Sequence, residues 1–271
     1  TGTTNSHQRV PREAMQQLLI PLLNKEGRRE IGSLFQIIKE VSEKNKGANG
    51  VVDQPLKELF RSMFLFDKLG LGSYEVADSD LVPTGWRYTN VGDVCTVKRG
   101  LSYQGKYLSE EGVAMFNLNS FKRGGGYKAS GMKCYKGHYR ERHECGPADV
   151  LVANTDLTHA LDLIGRSIRV PDDVGGPHLF SHHLFRVRIN EGENIHPGFL
   201  HHWLEAHQPA IARWASGSTV NMLPSAALTR LPLLIPPTGM MEEYGQLAEQ
   251  ALRLEARRRM ASNRATSMIE P

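Results

Sequence analysis

Apolar stripes of helical period occur at both ends of this chain, and a stripe of that kind is buried only by finding another surface to cover it. Two successive amphipathic helices are predicted in residues 25–67. Ile31, Leu34, Phe35, Ile38 and Val41 recur at steps of three and four and share one face, while Arg28, Arg29, Lys39, Glu40 and Glu43 fall mostly elsewhere. The polar, glycine-containing run 45–50 breaks this helix. Asp53 is suited to cap the next, with Pro55 in its first turn, and Leu56, Leu59, Phe60, Met63 and Phe64 give a second stripe ending near Gly70. A third stripe, Tyr244, Leu247, Ala248, Ala251 and Leu254, lines a helix predicted over 241–261. The expectation is an antiparallel helical bundle or coiled coil that joins the ends of the chain around a domain between them.

That intervening domain reads as mixed α and β with strands predominating. Apolar, β-branched segments at 91–97, 113–118, 133–135, 149–152, 163–170 and 184–189 are predicted strands. The runs 123–127 and 172–177 are predicted loops, and 198–207 and 209–214 predicted helices ending at the turn Ser216-Gly217. A weak repeat frames the domain. A small-residue glycine turn, a proline-started short helix, an extended Leu/Ile-Pro segment and a long amphipathic helix occur in that order near the start of the chain and again after Ser216. Since the first residue is not Met, residues 1–22 are expected to be the tail of a preceding unit in a longer chain. The segments that follow are a central helical region, 23–79, a complete unit of the same kind, 80–237, and a distal helix, 238–271.

Charge distribution narrows the function. Across 271 residues the net charge is only +4, but between Lys98 and Arg142 ten Lys or Arg face three acids, Glu110, Glu111 and Glu141. A local excess of this sort suits a polyanion. Lys122 and Arg123 beside Gly124–Gly126 are placed to follow phosphates, with Asn117, Asn119 and Ser120 upstream able to bond base edges or backbone. Lys98, Arg99, Tyr103, Lys106 and Lys128 extend the basic, aromatic-containing set. Asn154, Thr155 and Thr158 lie where an apolar strand emerges into a loop, which suits base contacts and Asx-type capping equally. Ser216, Gly217, Ser218 and Thr219 offer hydroxyls and a turn that brings backbone N–H groups near a phosphate.

Other chemistries find little support in the residues. No methyltransferase cofactor loop, base-binding Pro-Pro-aromatic motif or P-loop lysine is present, and Gly124–Gly126 follow no convincing strand and open no helix, so no catalysis and no cofactor are expected. Cys134, His138, His143 and Cys145 supply four soft ligands but lack the tight cysteine knuckle of structural zinc sites; solvated loop residues are the favoured reading. Three cysteines fit a reducing cytoplasm better than a disulfide framework. No apolar run of membrane-spanning length and no signal peptide is found, so no membrane association is expected. For the pairs His182-His183 and His201-His202, one buried and one exposed ring each is expected.

Taken in order, several motifs resemble the specificity subunit of type I restriction-modification enzymes. They are Leu59-Phe60-Arg61-Ser62-Met63-Phe64, Trp86 followed by Val91-Gly92-Asp93-Val94, Gly100, Gly146-Pro147-Ala148-Asp149 running on to Asn154-Thr155-Asp156-Leu157-Thr158, Ile164-Gly165-Arg166, Ser181-His182-His183-Leu184, Ser216-Gly217-Ser218-Thr219, and Leu233-Leu234-Ile235-Pro236-Pro237. The match covers the central conserved helix, second target recognition domain and distal conserved helix of such a subunit. Leu23-Asn24 and Arg29-Glu30 depart from the family's usual Pro-Pro and Glu-Gln, and most of a first recognition domain is absent. The resemblance implies an α+β fold, a mixed α/β recognition domain flanked by long helices that pair as an antiparallel coiled coil. It also implies a non-catalytic subunit that binds double-stranded DNA and docks a methyltransferase subunit and, indirectly, a restriction subunit, with a homodimer through the helices as a further assembly. Two rivals stay open: the recognition region of a fused restriction-modification enzyme, and a helical scaffold that binds no DNA.

Overall fold

The computed structural model describes residues 53–64, 82, 85–156, 162–174, 176–217 and 220–267, divided between two units, Thr1–Gly85 and Trp86–Pro271. In the first unit the described residues form helix α1 (Asp53–Phe64). Its predicted stripe is buried in full, Leu56, Leu59, Phe60, Met63 and Phe64 all being 4% exposed or less, with the Phe60 and Phe64 rings 5.1 Å apart one turn from each other. The stripe predicted at 31–41, and the approach of α1 to Gly70, lie outside the described residues.

The second unit is α+β. Its first half runs β1 (Arg87–Asn90), α2 (Val91–Val94), β2 (Cys95–Arg99), β3 (Leu108–Ser109), β4 (Val113–Phe116), β5 (Lys133–Tyr135), β6 (Glu144–Cys145), β7 (Asp149–Ala153) and β8 (Thr155–Asp156). Its second half runs β9 (Ser167–Arg169), β10 (His178–Phe180), β11 (Leu184–Ile189), α3 (Pro197–Ala206), α4 (Gln208–Ala212), β12 (Asn221–Met222), α5 (Ala226–Thr229), β13 (Pro232–Ile235) and α6 (Thr238–Ser267). The order of turn, short helix, extended segment and long helix expected after Ser216 is therefore found; its earlier counterpart lies outside the described residues.

Two sheets form the body. One is antiparallel in the order β2-β11-β7-β9; the other is mixed, in the order β3-β5-β4-β10-β6, with β4 and β10 parallel. All five residues of β7 are buried, which is why its sequence is a nearly continuous apolar run rather than an alternating one. The mixed sheet has apolar residues on both faces, because neighbours along a strand point to opposite sides. Phe116 and Phe180 join Leu151, Ile168 and Leu184 on one face, whereas Met115 and Leu179 meet Leu101 and Tyr135 on the other. The pair β1-β13 brings the first and last strands together, Arg87 opposite Ile235 and Asn90 opposite Pro232.

Two predicted strands are corrected. The run 91–97 is divided, because the Asp93 carboxylate accepts hydrogen bonds from the Asn90 backbone N–H (3.1 Å) and the Thr89 hydroxyl (3.2 Å) and turns the chain into α2. A helical turn lets Val91 and Val94 face the core together, which a strand, with its period of two, does not allow. The run 163–170 contributes only β9 as strand, since Asp156 accepts from the Leu163 (2.7 Å) and Ile164 (3.3 Å) backbone N–H groups and holds that end in a turn.

Helix α6 packs its first turns on the domain itself. Met241, Tyr244, Ala248 and Ala251 are buried, while Leu247 and Leu254 are only half-buried. The Tyr244 hydroxyl lies 2.6 Å from His202 Nδ1 and its ring meets Phe199 edge-on, so α3 is a surface covering this part of the stripe. Arg169 and His196 both reach Glu249, at 2.6 and 3.1 Å.

Candidate nucleic-acid interface

The basic loop is built on a rigid footing. As β4 ends, the Asn117 side chain accepts from the Asn119 N–H (2.9 Å) and donates to the carbonyls of Gly131 (2.8 Å) and Met115 (3.3 Å). Lys128 N–H then donates to Ser120 O at 2.8 Å. The two stems lie so close that a Cβ on Gly131 would stand 1.7 Å from Asn119 O, so only glycine fits there. Above this footing Phe121 pairs with Tyr127 across an antiparallel bridge, and Lys122 N–H donates to Gly126 O (2.9 Å) while Gly125 N–H donates to Lys122 O (3.0 Å). Gly124, Gly125 and Gly126 hold φ of 83°, 101° and 95°, the left-handed region that side chains resist.

This loop forms one wall of a cleft of about 470 Å³ lined by Leu118, Asn119, Phe121, Lys122, Arg123, Lys128, Asp162 and Leu163. Four residues selected from the sequence, Asn119, Lys122, Arg123 and Lys128, thus converge, all with exposed side chains. Several cations elsewhere in the domain are committed: Arg188 forks onto buried Asp149 with two bonds of 2.7 Å, Arg166 pairs with Glu205, and Lys136 with Glu111. Among the described residues no ion pair of that kind holds Lys122, Arg123 or Lys128. Three cations against one carboxylate, Asp162, leave the cleft a positive surface suited to an anionic backbone.

The other candidates separate from this group. Lys98 and Arg99 sit on β2, an edge strand, where Arg99 Nε donates to His182 O at 2.9 Å. Tyr103 tilts against the His182 ring at 5.7 Å and meets Tyr135 edge-on, while Lys106 lies 5.0 Å over the ring of exposed Tyr107. Tyr103 packs with the core of Leu101, Met115, Tyr135 and Leu179, on the face of the mixed sheet opposite that of Phe121 and Leu163. The basic region of the sequence is therefore two surfaces rather than one.

Three polar candidates are committed to the fold. Asn117 is 5% exposed and its amide is used entirely on backbone groups. Asn154 is 1% exposed, donating to His182 O (3.1 Å) and accepting from the Thr155 hydroxyl (2.8 Å), and Thr155 is buried with it. These are turn and strand-end hydrogen bonds, for Asn154 and Thr155 the capping alternative of the sequence reading, and they leave neither Asn117 nor Asn154 facing a ligand. Ser216 pairs through its backbone with Met222, and Ser216 and Gly217 are exposed at the mouth of that hairpin. Thr158, Ser218 and Thr219 lie outside the described residues. Asp162 and Leu163, the opposite wall of the cleft, were not among the sequence candidates.

The histidines and cysteines resolve into structural roles. His182 and His183 are both half-buried, with ring centroids 3.9 Å apart, instead of one in and one out. His202 is buried against Tyr244, and His201 Nδ1 lies 2.8 Å from Ser167 Oγ. Glu205 completes a Ser-His-Glu grouping, but it takes the Ser167 amide (2.6 Å) and hydroxyl (3.3 Å), and Ser167 is fully buried. A hydrolytic triad needs an accessible serine and a carboxylate that orients the histidine, so this group latches α3 to β9. Among the described residues no cluster of three or more His, Cys, Asp or Glu is arranged to hold a metal. Cys134 and Cys145 lie on β5 and β6, three strands apart in the sheet order, a separation on the order of 14 Å. Burial pushes the Cys145 thiol well up and the Cys95 thiol up to about 12, keeping both protonated.

No protein-family model and no curated protein matches the sequence. Solved structures do match its fold. A chain from a type I restriction-modification system, solved in work on complex assembly and conformational transition, is 15% identical and aligns over 96% of this chain and 56% of its own, with a TM-score of 0.50. The S subunit of the type I restriction-modification system from M. genitalium is 12% identical, with 95% and 57% covered and a TM-score of 0.50. The HsdS subunit from Thermoanaerobacter tengcongensis gives 15%, with 93% and 51% covered, at a TM-score of 0.49. The chain has the fold of a type I specificity subunit and spans about half the length of the structures it matches. No helix among the described residues is long and apolar enough to cross a membrane.

Proposed function

We propose that this chain is the C-terminal part of a type I restriction-modification specificity subunit, in which residues 80–237 read one part of a bipartite duplex target. The observation that carries the reading is the positive cleft, where Lys122, Arg123 and Lys128 stand without ion-pair partners among the described residues, beside exposed Asn119. Phosphate contacts by the cations set register, and Asn119, with both donor and acceptor, is the side chain suited to a base edge. The second basic surface, Lys98, Arg99 and Lys106, serves as a reserve phosphate track, and Ser216 to Thr219 as a further backbone contact. In this reading the chain performs no catalysis, binds no cofactor and works in the cytoplasm. Methylation belongs to a partner methyltransferase subunit that carries S-adenosylmethionine, and a translocating restriction subunit joins indirectly. The helices of 23–79 and 238–271 pair as an antiparallel coiled coil that spaces the recognition domains and docks the methyltransferase, or joins two copies.

Selection from a randomised duplex pool, with the methyltransferase subunit present, tests the proposal. Enrichment of a short defined motif is expected. Retention on heparin with no sequence enriched over random duplex would refute recognition and favour a scaffold.

A further inference from the structure

The basic loop is held by a residue far from it in sequence. Arg259, on helix α6, forks onto Asp173, with Nη2 2.5 Å and Nε 3.3 Å from the two carboxylate oxygens. The same guanidinium lies 5.3 Å from the centre of the Tyr127 ring. Tyr127 is the residue at which the loop closes: it bridges Phe121, its ring tilts against Phe116 at 5.7 Å, and its hydroxyl donates to Met132 Sδ at 2.9 Å. Above Tyr127 the three glycines give the tip little stiffness of its own, since glycine accesses both signs of φ. The direction in which Lys122 and Arg123 point is therefore set at the Phe121–Tyr127 base, and one side of that base is Arg259.

We propose that Arg259 is a positioning residue for the basic loop, with Asp173 aiming its guanidinium and Tyr127 receiving it, so that helix α6 and the wall of the cleft move as one piece. An arginine suits this arrangement, because its planar fork satisfies a carboxylate at its edge while its face remains available to an aromatic ring. The inference rests on the proposed nucleic-acid reading only for its consequence in binding; the positioning itself is a property of the free protein. A ligand or partner that displaces α6 near Arg259 then alters how the loop presents its cations, which links the distal helix to recognition.

The test uses R259Q and D173N in the full chain. The first removes the cation, and the second leaves the cation but removes its aim, so a folding defect in one does not end the experiment. Hydrogen exchange of the Lys122 and Gly125 amides, the two that close the loop, is compared with that of Val152 in the buried strand β7. Losing a cation–ring contact of ordinary strength speeds loop exchange roughly 2- to 30-fold, with Val152 unchanged. Duplex affinity falls by a similar factor while the dependence of log affinity on log salt keeps its slope. Unchanged loop exchange in both variants, even with a lower melting temperature, overturns the proposal, because a merely structural clamp would do that. A slope flattened by about 0.9 in R259Q but not in D173N also overturns it, by making Arg259 a direct phosphate contact. Faster loop exchange in a protein that binds no duplex supports the positioning role and removes the nucleic-acid reading instead.

Discussion

Replacing Lys122 and Arg123 together with Ala tests whether the cleft is the phosphate track. Both side chains are exposed on its wall, and Lys128 is the third cation there. If each neutralises one duplex phosphate, the three contribute about 2.7 to the slope of log affinity against log salt, and the double variant loses about 1.8 of it. Across a fourfold rise in salt, from about 50 to about 200 mM, the intact protein then loses roughly twelvefold more affinity than the variant. The effect is the same for cognate and random duplex, because phosphates carry no sequence. Fluorescence anisotropy with the methyltransferase subunit present reads both slopes. Asn119→Ala is the control: a lost base contact costs about 1–3 kcal/mol on the cognate site and leaves the slope nearly unchanged. A double variant with an unchanged slope refutes the reasoning and moves the track to Lys98 and Arg99 on edge strand β2 and to Lys106.

Asn117→Ala and Asn154→Ala should each lower stability by about 1–3 kcal/mol in urea titrations, since the buried Gly131 carbonyl loses its Asn117 donor in the first and the buried Thr155 hydroxyl loses its Asn154 acceptor in the second; an unaltered urea midpoint, together with a selective loss on cognate DNA, would return these residues to the recognition set. Arg188→Ala should cost on the order of 3 kcal/mol, because buried Asp149 loses both bonds of that fork; a shift of the urea midpoint corresponding to under 1 kcal/mol would contradict this. The purified chain should neither methylate nor cleave DNA, with or without S-adenosylmethionine or magnesium, and turnover by homogeneous material would sink the non-catalytic reading. Burial holds the imidazoles of His143, His182, His183 and His196 below their ordinary value of 6.5, with neighbouring arginines or, for His183, the His182 ring adding to it. The unfolded chain therefore binds more protons than the folded one below about pH 6.5, so stability is full above that value and falls with acidification, by up to about 1.4 kcal/mol per pH unit for each such histidine. Urea midpoints that stay level between about pH 7.5 and about pH 5.5 would contradict the assignment.

Elements whose apolar pattern was long enough to define a period were legible. The apolar pattern bounds the strand Leu184–Ile189 as the fold does, and Asp149–Ala153 to within one residue. In both, consecutive buried positions leave no competing reading. The stripe on α1 was equally plain, five apolar residues at helical spacing and all of them buried. The two-residue strands β3, β6, β8 and β12 were not, because two paired residues carry no period and their pairing is decided by what the tertiary fold brings alongside. The segment 91–94 departs from its apolar pattern for a different reason. Its two valines read with the β-branched run that follows as one strand, but Gly92 and Asp93 are poor strand formers and the Asp93 carboxylate bonding back to Asn90 turns the chain.

The site was legible as charge and not as geometry. A count of Lys and Arg locates the basic region, but it cannot divide Lys122, Arg123 and Lys128 from Lys98, Arg99 and Lys106, because that division depends on which strand or loop of the folded domain carries each cation. Short polar side chains pose a harder version of the problem. An asparagine at the end of a strand is equally fit to read a base and to cap the turn that ends the strand, and Asn117, Asn119 and Asn154 are indistinguishable in sequence on that count. What separates them is an acceptor contributed from elsewhere in the chain: Gly131 O for Asn117, His182 O for Asn154, and none among the described residues for Asn119. The clamp of Arg259 on Asp173, 86 residues away, follows the same rule. Local chemistry nominates a residue, and a partner brought from a distance determines whether it belongs to the fold or remains for a ligand. On that criterion the asparagine whose side chain the fold leaves available is Asn119, the one that lines the cleft.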